Sequence, residues 1–341
     1  MTIKDIAKKA NVSVATVSRV INNYKWVSDD IRARVRKVIE EENYQPNYNA
    51  SVMASGKSRL IVVVVPDITS PFFTQFTGVV TKRLKAGGYA TMLCQTDNDS
   101  AEEASLFGSP FVSMADGIIS VTDGVENDLL LKMIRPLREK NNPVLFLDRY
   151  LPANIADCVI HDNIGGMRKA VELLYKNGHQ RIAMIIGQRG LTVVHDKMKG
   201  FRTSMIDLGL RIDEDYVREG DWTIETGVTE TEKLLCMNNP PTAIIACNNF
   251  ICEGAIEAIE KHGLKVGKDI SLIGVEESDS DARLFSKLGI TTLKLACAQM
   301  ANYASDYMLE RLKQNEKQGF YTTVEYVVEL RERNSVANMT I

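Results

Sequence analysis

Small or polar residues share one face of a predicted helix near the start of the chain: Val14, Ala15, Ser18, Arg19 and Asn22. Arg19 can donate two hydrogen bonds to the edge of guanine, and the methyl groups of Val14 and Ala15 match the thymine methyl. Small side chains also let a helix approach the base edges closely. The face therefore indicates a helix that reads bases in the major groove of DNA.

Two further helices would hold this helix in place. The sequence predicts a helix that opens at residues 2–7, a turn at 11–13, a second helix at 14–22 and a third at 29–42, capped by Ser28. Apolar residues at helical spacing converge on one small core: Ile6, Ala10, Val12, Val17, Val20, Ile21, Ile31, Val35, Val38 and Ile39. Ser13 is a good N-cap for the second helix, whose N-terminus can then meet a phosphate. The simpler alternative is an exposed helical hairpin without a ligand.

Charge is distributed unevenly along the chain. Residues 1–60 hold eleven lysines and arginines against six acids, a net charge of +5, whereas the whole chain carries −3. A basic head on an acidic body suits one domain that meets phosphates and another that avoids them. A solvated helix surface would explain part of this difference equally well.

Composition bounds the class of protein. The 341 residues suffice for two or three domains, and no apolar run approaches the roughly 20 residues that span a bilayer. The first residues lack a signal-peptide pattern, so we expect a cytoplasmic protein without a membrane partner. The six cysteines form no C-x-x-C pair and the four histidines have no metal-ligand spacing. We therefore expect reduced thiols, no metal and no cofactor.

From residue 60 onward the pattern alternates between strands and helices. Apolar runs at residues 60–65, 117–121 and 181–186 are typical of buried parallel strands, and the plan recurs after about 120–126 residues. We therefore predict two doubly wound α/β lobes, with a ligand cleft where the carboxyl ends of their strands face each other. Gly108-Ser109-Pro110 predicts a kink or break in a helix that starts at Ala101.

A short segment joins the head to this body. Pro46 favours a helix start and Gly56 a helix end, which leaves about nine helical residues, too few for a stable isolated helix. Val52 and Met53 are apolar, and such side chains can enter the minor groove as a wedge. A simple linker is the alternative.

These segments together resemble the lactose/galactose-repressor (LacI/GalR) family of bacterial transcription regulators. The resemblance covers almost the whole chain and rests on residues 2–7, 12–22, 44–47, 65–68, 70–73, 146–149, 162–163, 178–183, 199–202, 220–222 and 291–293. It implies a helix-turn-helix head, a hinge helix that inserts into DNA with Met53 at the wedge position, and a core like the type I periplasmic sugar-binding proteins. The predicted DNA contacts are Thr2, Ser13, Val14, Ala15, Thr16, Ser18, Arg19, Asn22, Ser28, Tyr44, Asn47 and Met53.

The family plan also predicts the domain boundaries. We expect an all-α head at residues 1–45, a hinge at 46–58 and a core at 59–341. Lobe one would comprise residues 60–160 and 291–322, and lobe two residues 161–290 and 323–341. The chain has no heptad tail at its end, so we expect a homodimer that binds a pseudo-palindromic operator.

By the same resemblance, the effector cleft involves eight residues: Ser70, Phe72, Asp148, Arg149, Lys197, Trp222, Asn248 and Glu276. Lys197 stands where the family usually has arginine, Glu276 where it has aspartate, and Asn249 where it has an acid. Fewer acids beside Lys197 and Arg149 favour a sugar acid as effector, with a plain sugar as the rival. Each aromatic residue could instead belong to the ordinary core.

Other classes of function remain as alternatives. An enzyme is disfavoured because the sequence has no G-x-G-x-x-G after the first strand, no phosphate-binding G-x-x-x-x-G-K-[ST] and no G-x-S-x-G. A transport binding protein shares the two-lobe core, but the basic head argues against it. A catabolite-control regulator with a protein corepressor is a further alternative.

Overall fold

A computed structural model of the chain describes residues 1–21, 24, 26–45, 52, 56–122, 128–139, 141–151, 155–314 and 320–339. Contacts divide the chain into two compact units, Met1–Ser58 and Arg59–Ile341. Among the described helices, none combines the length and the apolar character that a bilayer-spanning segment needs.

The first unit contains the three predicted helices, α1 (Ile3–Lys9), α2 (Val14–Ile21) and α3 (Asp29–Glu41). The Asp5 carboxylate opens α1, because it accepts hydrogen bonds from the backbone N–H and the hydroxyl of Thr2, both at 2.8 Å. The predicted core forms as expected, and its most buried members are Ile6, Ala10, Val17, Val20 and Val35. Burial of each larger apolar side chain contributes about 1.5–3 kcal/mol, which holds the three short helices together.

The turn between α1 and α2 follows the predicted chemistry. Asn11 adopts φ 50°, a left-handed conformation that asparagine tolerates well. Ser13 Oγ then accepts a hydrogen bond from the backbone N–H of Thr16 at 3.1 Å, which confirms Ser13 as the N-cap of α2. Ser28 occupies the N-cap position of α3 without a side-chain capping bond.

The second unit contains two six-stranded sheets. The first sheet has the order β11-β5-β4-β3-β1-β2 and the second β12-β10-β9-β8-β6-β7. In the described residues, all neighbouring strands run parallel except β12, which is antiparallel to β10. The strands are β1 (Leu60–Val65), β2 (Ala90–Gln95), β3 (Gly117–Ser120), β4 (Val144–Leu147), β5 (Asp157–His161), β6 (Ile182–Ile186), β7 (Val217–Glu219), β8 (Ala243–Ala246), β9 (Ser271–Glu277), β10 (Thr291–Lys294), β11 (Thr323–Tyr326) and β12 (Glu329–Arg331).

Helices cover both faces of the sheets, as a doubly wound plan requires. They are α4 (Pro71–Ala86), α5 (Ser100–Phe107), α6 (Pro110–Met114), α7 (Asp128–Glu139), α8 (Asn163–Lys176), α9 (Thr192–Asp207), α10 (Ile224–Leu235), α11 (Asn249–Lys261), α12 (Ala282–Leu288) and α13 (Cys297–Arg311). Helix α9 starts at Thr192. Its N-cap position holds Leu191, which makes no side-chain cap, so no polar residue marked the helix start.

The chain crosses between the lobes at different residues from those predicted. Strand β10 pairs with β9 of the second sheet through Thr291 and Ile273, so residues 291–294 belong to lobe two and their assignment to lobe one was wrong. Strand β11 pairs with β5 of the first sheet through Thr323 and Cys158, so residues 323–326 belong to lobe one. The chain thus crosses to lobe one after β10 and returns to lobe two after β11, whereas the prediction placed each crossing before the strand. An apolar pattern marks a strand, but it does not show which sheet the strand joins.

The predicted break at Gly108-Ser109-Pro110 is confirmed. Helix α5 ends with Gly108 as its C-cap, and α6 starts at Pro110 with Ser109 as its N-cap. The Ser109 hydroxyl accepts a hydrogen bond from the backbone N–H of Val112 at 3.4 Å. Proline supplies no N–H and is favoured at the first position of a helix, so it restarts the helix here.

His179 ties three parts of lobe two together. Its Nδ1 lies 2.9 Å from the Thr242 hydroxyl, and its Nε2 lies 2.9 Å from the Ser271 hydroxyl and 3.1 Å from the Ala337 carbonyl oxygen. Because a carbonyl only accepts, the neutral ring carries its proton on Nε2. Burial lowers the pKa of His179, and the bond to Ala337 offsets part of that effect.

The hydrogen bonds of His179 predict that the free energy of unfolding depends on pH. The pKa of His179 is lowered in the folded chain, so the unfolded chain binds the proton more readily and the stabilisation is lost as pH falls through about 6.5. His179→Ala should cost about 2–3 kcal/mol at pH 7.5 and less at pH 5, because buried partners lose their bonds. Thermal denaturation across this range checks the difference. His195→Ala, at a histidine whose side chain is 72% exposed, is the control; an equal loss in both variants would contradict the assignment.

Candidate functional site

The described residues present two candidate sites, one in each unit. In the first unit, the face of α2 opposite to the core is open to solvent, with Val14 40% exposed and Ala15 and Arg19 exposed. The Arg19 guanidinium makes no hydrogen bond or ion pair with a described residue, so its donors are free for a base edge. Thr16 and Ser18 are half-buried at the sides of this face.

The remaining predicted DNA contacts differ in what the structure shows. Thr2 is engaged by Asp5 at the start of α1, and Tyr44 packs against the head core. Asn22, Asn47 and Met53 lie outside the described residues. At the predicted end of the hinge, the Gly56 N–H bonds to the Val52 carbonyl at 2.8 Å and Gly56 adopts φ 67°, as expected for a glycine that ends a helix.

Sequence reasoning missed two aromatic side chains in the loop between α2 and α3. Trp26 is 93% exposed and Tyr24 is 57% exposed. A tryptophan that buries so little of its ring contributes nothing to the head core. The signal was present, since an aromatic residue in a polar loop beside a basic helix is a frequent contact residue at interfaces.

In the second unit, polar side chains collect at the carboxyl ends of the strands, where ligands of open α/β sheets bind. Asp148 and Arg149 follow β4, Asn248 follows β8 and Glu276 lies near the end of β9. A cavity of about 50 Å³ lies between the lobes here. Its lining residues are Pro66, Asp67, Ser70, Phe72, Phe73, Asn98, Asp148, Arg149, Val193, Trp222, Asn248, Phe250 and Glu276.

The structure thus brings together all predicted effector residues except Lys197, which lies behind the lining. Six lining residues were not predicted: Pro66, Asp67, Phe73, Asn98, Val193 and Phe250. They lie in loops and at the starts of helices far apart in the chain, so they share no pattern in the sequence. The cavity has room for only a few water molecules. A sugar-sized molecule therefore enters only when the two lobes move apart.

Asp148 is held by a buried histidine. His161 Nδ1 lies 3.1 Å from Asp148 Oδ1, and both side chains are at least nine-tenths buried. Burial raises the pKa of Asp148, but the hydrogen bond from His161 and the charges of Lys197 and Arg149 outweigh it, so the pKa lies below its usual value. Asp148 therefore presents a carboxylate to the cavity at neutral pH.

Glu276 is held by Lys197, whose side chain is only 1% exposed. The Lys197 ammonium donates to Glu276 Oε1 at 2.6 Å and to the Cys247 carbonyl at 3.1 Å, and it lies 5.5 Å from the centre of the Trp222 ring. Burial lowers the pKa of Lys197, but the Glu276 carboxylate outweighs this effect and raises it. The positive charge is thus paired inside the protein and does not face the cavity.

Asp281 supplies a carboxylate beside position 249, where this chain has asparagine instead of an acid. The Asn249 amide donates a hydrogen bond to the carboxylate of Asp281, which also accepts from the backbone N–H of Ser278 at 2.7 Å. Burial raises the pKa of Asp281. The sequence alone does not show that Asp281 lies beside Asn249, because 32 residues separate the two positions.

Two of the three acids that line the cavity, Asp148 and Glu276, have backbone in the left-handed region. Asp148 adopts φ 61° and Glu276 φ 73°, left-handed conformations that cost acidic residues free energy. The two residues follow or end central strands of opposite lobes. Strain of this kind persists where it places a side chain for a task, and here it turns one carboxylate from each lobe toward the cavity.

Two sets of hydrogen bonds join the lobes across the cleft. Tyr150 of lobe one donates its backbone N–H to the Thr192 hydroxyl at 3.2 Å and its own hydroxyl to Asp196 at 3.3 Å. On α4, Gln75 donates to Asp279 at 3.0 Å and accepts from the backbone N–H of Ser280 at 3.2 Å. These contacts connect side chains of the two lobes, so a change in the angle between the lobes must alter them.

The position of the Trp222 ring requires a glycine at residue 187. A Cβ atom at Gly187 would lie 2.1 Å from the nearest atom of the Trp222 ring. The ring thus lies directly against the backbone at the end of β6, while the Trp222 carbonyl accepts a hydrogen bond from Asn248 at 3.3 Å. Gly187 therefore positions the largest aromatic side chain of the cavity.

Gly187→Ala should displace this ring. The chain has two tryptophans, so in a Trp26→Phe background the fluorescence reports Trp222 alone. We expect emission at a longer wavelength in the alanine variant, because the indole moves toward water. Gly78→Ala is the matched control, since a Cβ there has no neighbour within 4 Å. Identical emission in the two alanine variants would show that Gly187 does not position Trp222.

The described residues contain no group of three or more histidine, cysteine or acidic side chains arranged to hold a metal ion. The side chains that line the cleft can form hydrogen bonds and stack on an apolar face. Carboxylates, amides and an arginine beside aromatic faces suit a polar molecule with hydroxyl groups and an apolar face.

Comparisons with known proteins match both units. The family described as bacterial regulatory proteins, lacI family, matches residues 2–47, and the family described as periplasmic binding proteins and sugar binding domain of LacI family matches residues 58–327. The predicted fold class, a helix-turn-helix head and a two-lobed α/β core of the periplasmic-binding-protein type, is confirmed.

Individual proteins agree. The transcriptional regulator DegA of Bacillus subtilis (strain 168) is 35% identical over 277 residues, which cover 81% of this chain and 82% of DegA. The transcriptional repressor PurR of Actinobacillus pleuropneumoniae serotype 3 (strain JL03) is 29% identical over 338 residues, 99% of each chain. The crystal structure of the lac repressor dimer bound to operator and the anti-inducer ONPF covers 99% of both chains with a TM-score of 0.83 and 25% identity. Since the family matches span both units, the chain belongs to the LacI family of bacterial regulatory proteins.

Proposed function

We propose that the protein is a transcriptional repressor of carbohydrate-utilisation genes whose affinity for its operator changes when a small polar effector occupies the cleft. The observation that carries the proposal is the solvent-facing side of α2, where Arg19 and the methyl groups of Val14 and Ala15 are free to meet bases. Relatives named as regulators and repressors support it over an enzyme or a transport binding protein. A protein that binds an operator works in the cytoplasm.

The proposed mechanism is a population shift. The cavity of about 50 Å³ is too small for a sugar, so binding is coupled to a change in the angle between the lobes. In a homodimer on a pseudo-palindromic operator, this change alters the spacing of the two first lobes and with it the hinge segments that insert into the minor groove. A coupling of about 1–3 kcal/mol alters operator affinity 5–150-fold.

For the effector, the contacts favour an uncharged polyhydroxylated molecule over the sugar acid suggested by the sequence. Asp67, Asp148 and Glu276 line the cavity, and Arg149 is the lining cation among the described residues. The ammonium group of Lys197 is paired with the Glu276 carboxylate. A carboxylate ligand would thus meet more negative than positive charge, while hydroxyl groups can donate to these carboxylates.

A protein corepressor is the second candidate for control of DNA binding. It would act on the outer surface of the core, and the cleft variants described below would not change its effect. A gel shift with genomic fragments, with and without candidate sugars, separates effector control from corepressor control. It also separates both from a transport binding protein, which shifts no fragment.

Arg19→Ala should relax base preference at one position of each half-site. The loss of a bidentate contact to guanine costs about 1–3 kcal/mol on the preferred sequence. Selection from a random duplex library, followed by affinity measurement, checks both effects. Arg34→Ala, an exposed arginine on α3, is the control and should weaken binding uniformly across sequences. The same selected sequence from Arg19→Ala and wild type would rule out base reading by Arg19.

Glu276→Gln should shift the effector preference toward acids. Calorimetric titration of the wild type with neutral sugars and sugar acids should give binding only to neutral members. Removal of the Glu276 charge also leaves Lys197 unpaired, so affinity for sugar acids should rise roughly tenfold or more. Glu253→Gln, at an exposed acid on α11, should change nothing. Tight binding of sugar acids to the wild type would overturn the proposal of a neutral effector and leave the regulator function intact.

A further inference from the structure

We propose a second ligand site on lobe one, which takes a small organic anion. A cavity of about 330 Å³ lies at the amino ends of strands β4, β5 and β11. The effector cleft lies at the carboxyl ends of β4 and β5, so the two sites occupy opposite ends of the same sheet. The new cavity falls in the size range of small-molecule sites and exceeds the cleft cavity several-fold.

Two guanidinium groups line this cavity. Arg135 comes from α7, and Arg311 is the last residue of α13. Neither arginine forms an ion pair with a described residue, and the Nε atom of Arg311 is buried without a hydrogen-bond partner. Glu139 is the one carboxylate among the described lining residues. Arginine pairs with carboxylate and phosphate groups through two parallel hydrogen bonds, so the pair of cations predicts an anionic group between them.

The buried acid Asp157 accepts hydrogen bonds from Tyr307 and Thr322. Asp157 Oδ2 accepts from the Tyr307 hydroxyl at 2.5 Å, and Oδ1 accepts from the N–H and the hydroxyl of Thr322, both at 2.9 Å. Burial and the Asp157 carboxylate raise the pKa of Tyr307, whereas Arg311 lowers it, so Arg311 lies beside this network.

The rest of the lining suits an organic body attached to the anion. Tyr321 supplies an aromatic ring, and Pro143 and Ile155 supply apolar contacts. The Asn142 amide donates to the Ala115 carbonyl at 2.9 Å, so its oxygen remains to accept from a ligand hydroxyl. The combination selects a phosphate monoester or a carboxylate that carries a sugar-sized or planar group, rather than a free inorganic ion. The ordinary alternative is that Arg311 only compensates the C-terminal dipole of α13.

The test uses the full-length protein at constant ionic strength. Probes are ribose 5-phosphate, adenosine 5′-monophosphate, gluconate and inorganic phosphate, with ribose and adenosine as uncharged counterparts, and binding is measured by calorimetry. We expect at least one organic anion to bind with 1:1 stoichiometry per chain. Its affinity should fall tenfold or more in Arg135→Gln/Arg311→Gln and stay unchanged in Arg283→Gln, an exposed arginine on lobe two.

Two further variants keep the test decisive. Asp148→Asn changes the effector cleft, and an anion that binds at the new site should ignore it. If the double variant shows no cooperative thermal unfolding, the single variant Arg135→Gln replaces it in the binding measurement. Arg135 is exposed, so its substitution should leave the fold intact. The proposal is overturned if no organic anion binds up to about 10 mM, a concentration that would reveal even weak sites. It is equally overturned if the arginine variants bind as wild type does, or if inorganic phosphate binds as tightly as its esters.

Discussion

The buried ion pair between Lys197 and Glu276 determines the chemistry of the cleft. A lysine with 1% exposure is costly unless its charge is compensated, and here a carboxylate at 2.6 Å and a carbonyl at 3.1 Å satisfy it. The same ammonium lies against the Trp222 ring, which Gly187 lets pack directly on the backbone. Removal of either charge would leave the other buried and unpaired, which typically costs more than the pair itself contributes. The pair thus fixes Glu276 and Trp222 relative to each other before any effector arrives.

This arrangement gives the two lobes unequal roles. Lobe two brings a preformed unit of Lys197, Glu276 and Trp222, whereas lobe one brings Asp148 with its buried His161. The contacts of Tyr150 with α9 and of Gln75 with Asp279 and Ser280 are few and exposed to solvent at their edges, so they cost little to exchange. Under the proposed function, a ligand that bonds to both carboxylates replaces these contacts and changes the angle between the lobes.

How much the sequence could predict depended on how local each feature is. The head was predicted closely, because caps such as Ser13 and the spacing of Val17 and Val20 act within a few residues. The broken helix at Pro110 was predictable for the same reason. The sheet membership of β10 and β11 was not, since pairing joins residues far apart in the chain. The ion pair between Lys197 and Glu276 was also not predictable, because 79 residues separate the two and only the fold brings them together.

The crossing that leads into β12 is anchored on lobe two rather than shared by both lobes. Glu277 is fully buried beside Glu276, and its carboxylate accepts from Arg333 at 2.8 Å and from Arg331 at 3.2 Å, with a further bond from the Thr292 hydroxyl. These bonds tie β9, β10 and the segment around β12 into one block. Next to them, the Val328 carbonyl accepts from Lys169 of α8 at 2.6 Å. The neighbouring residues Glu276 and Glu277 of β9 thus connect the lining of the cavity to this block without an intervening loop.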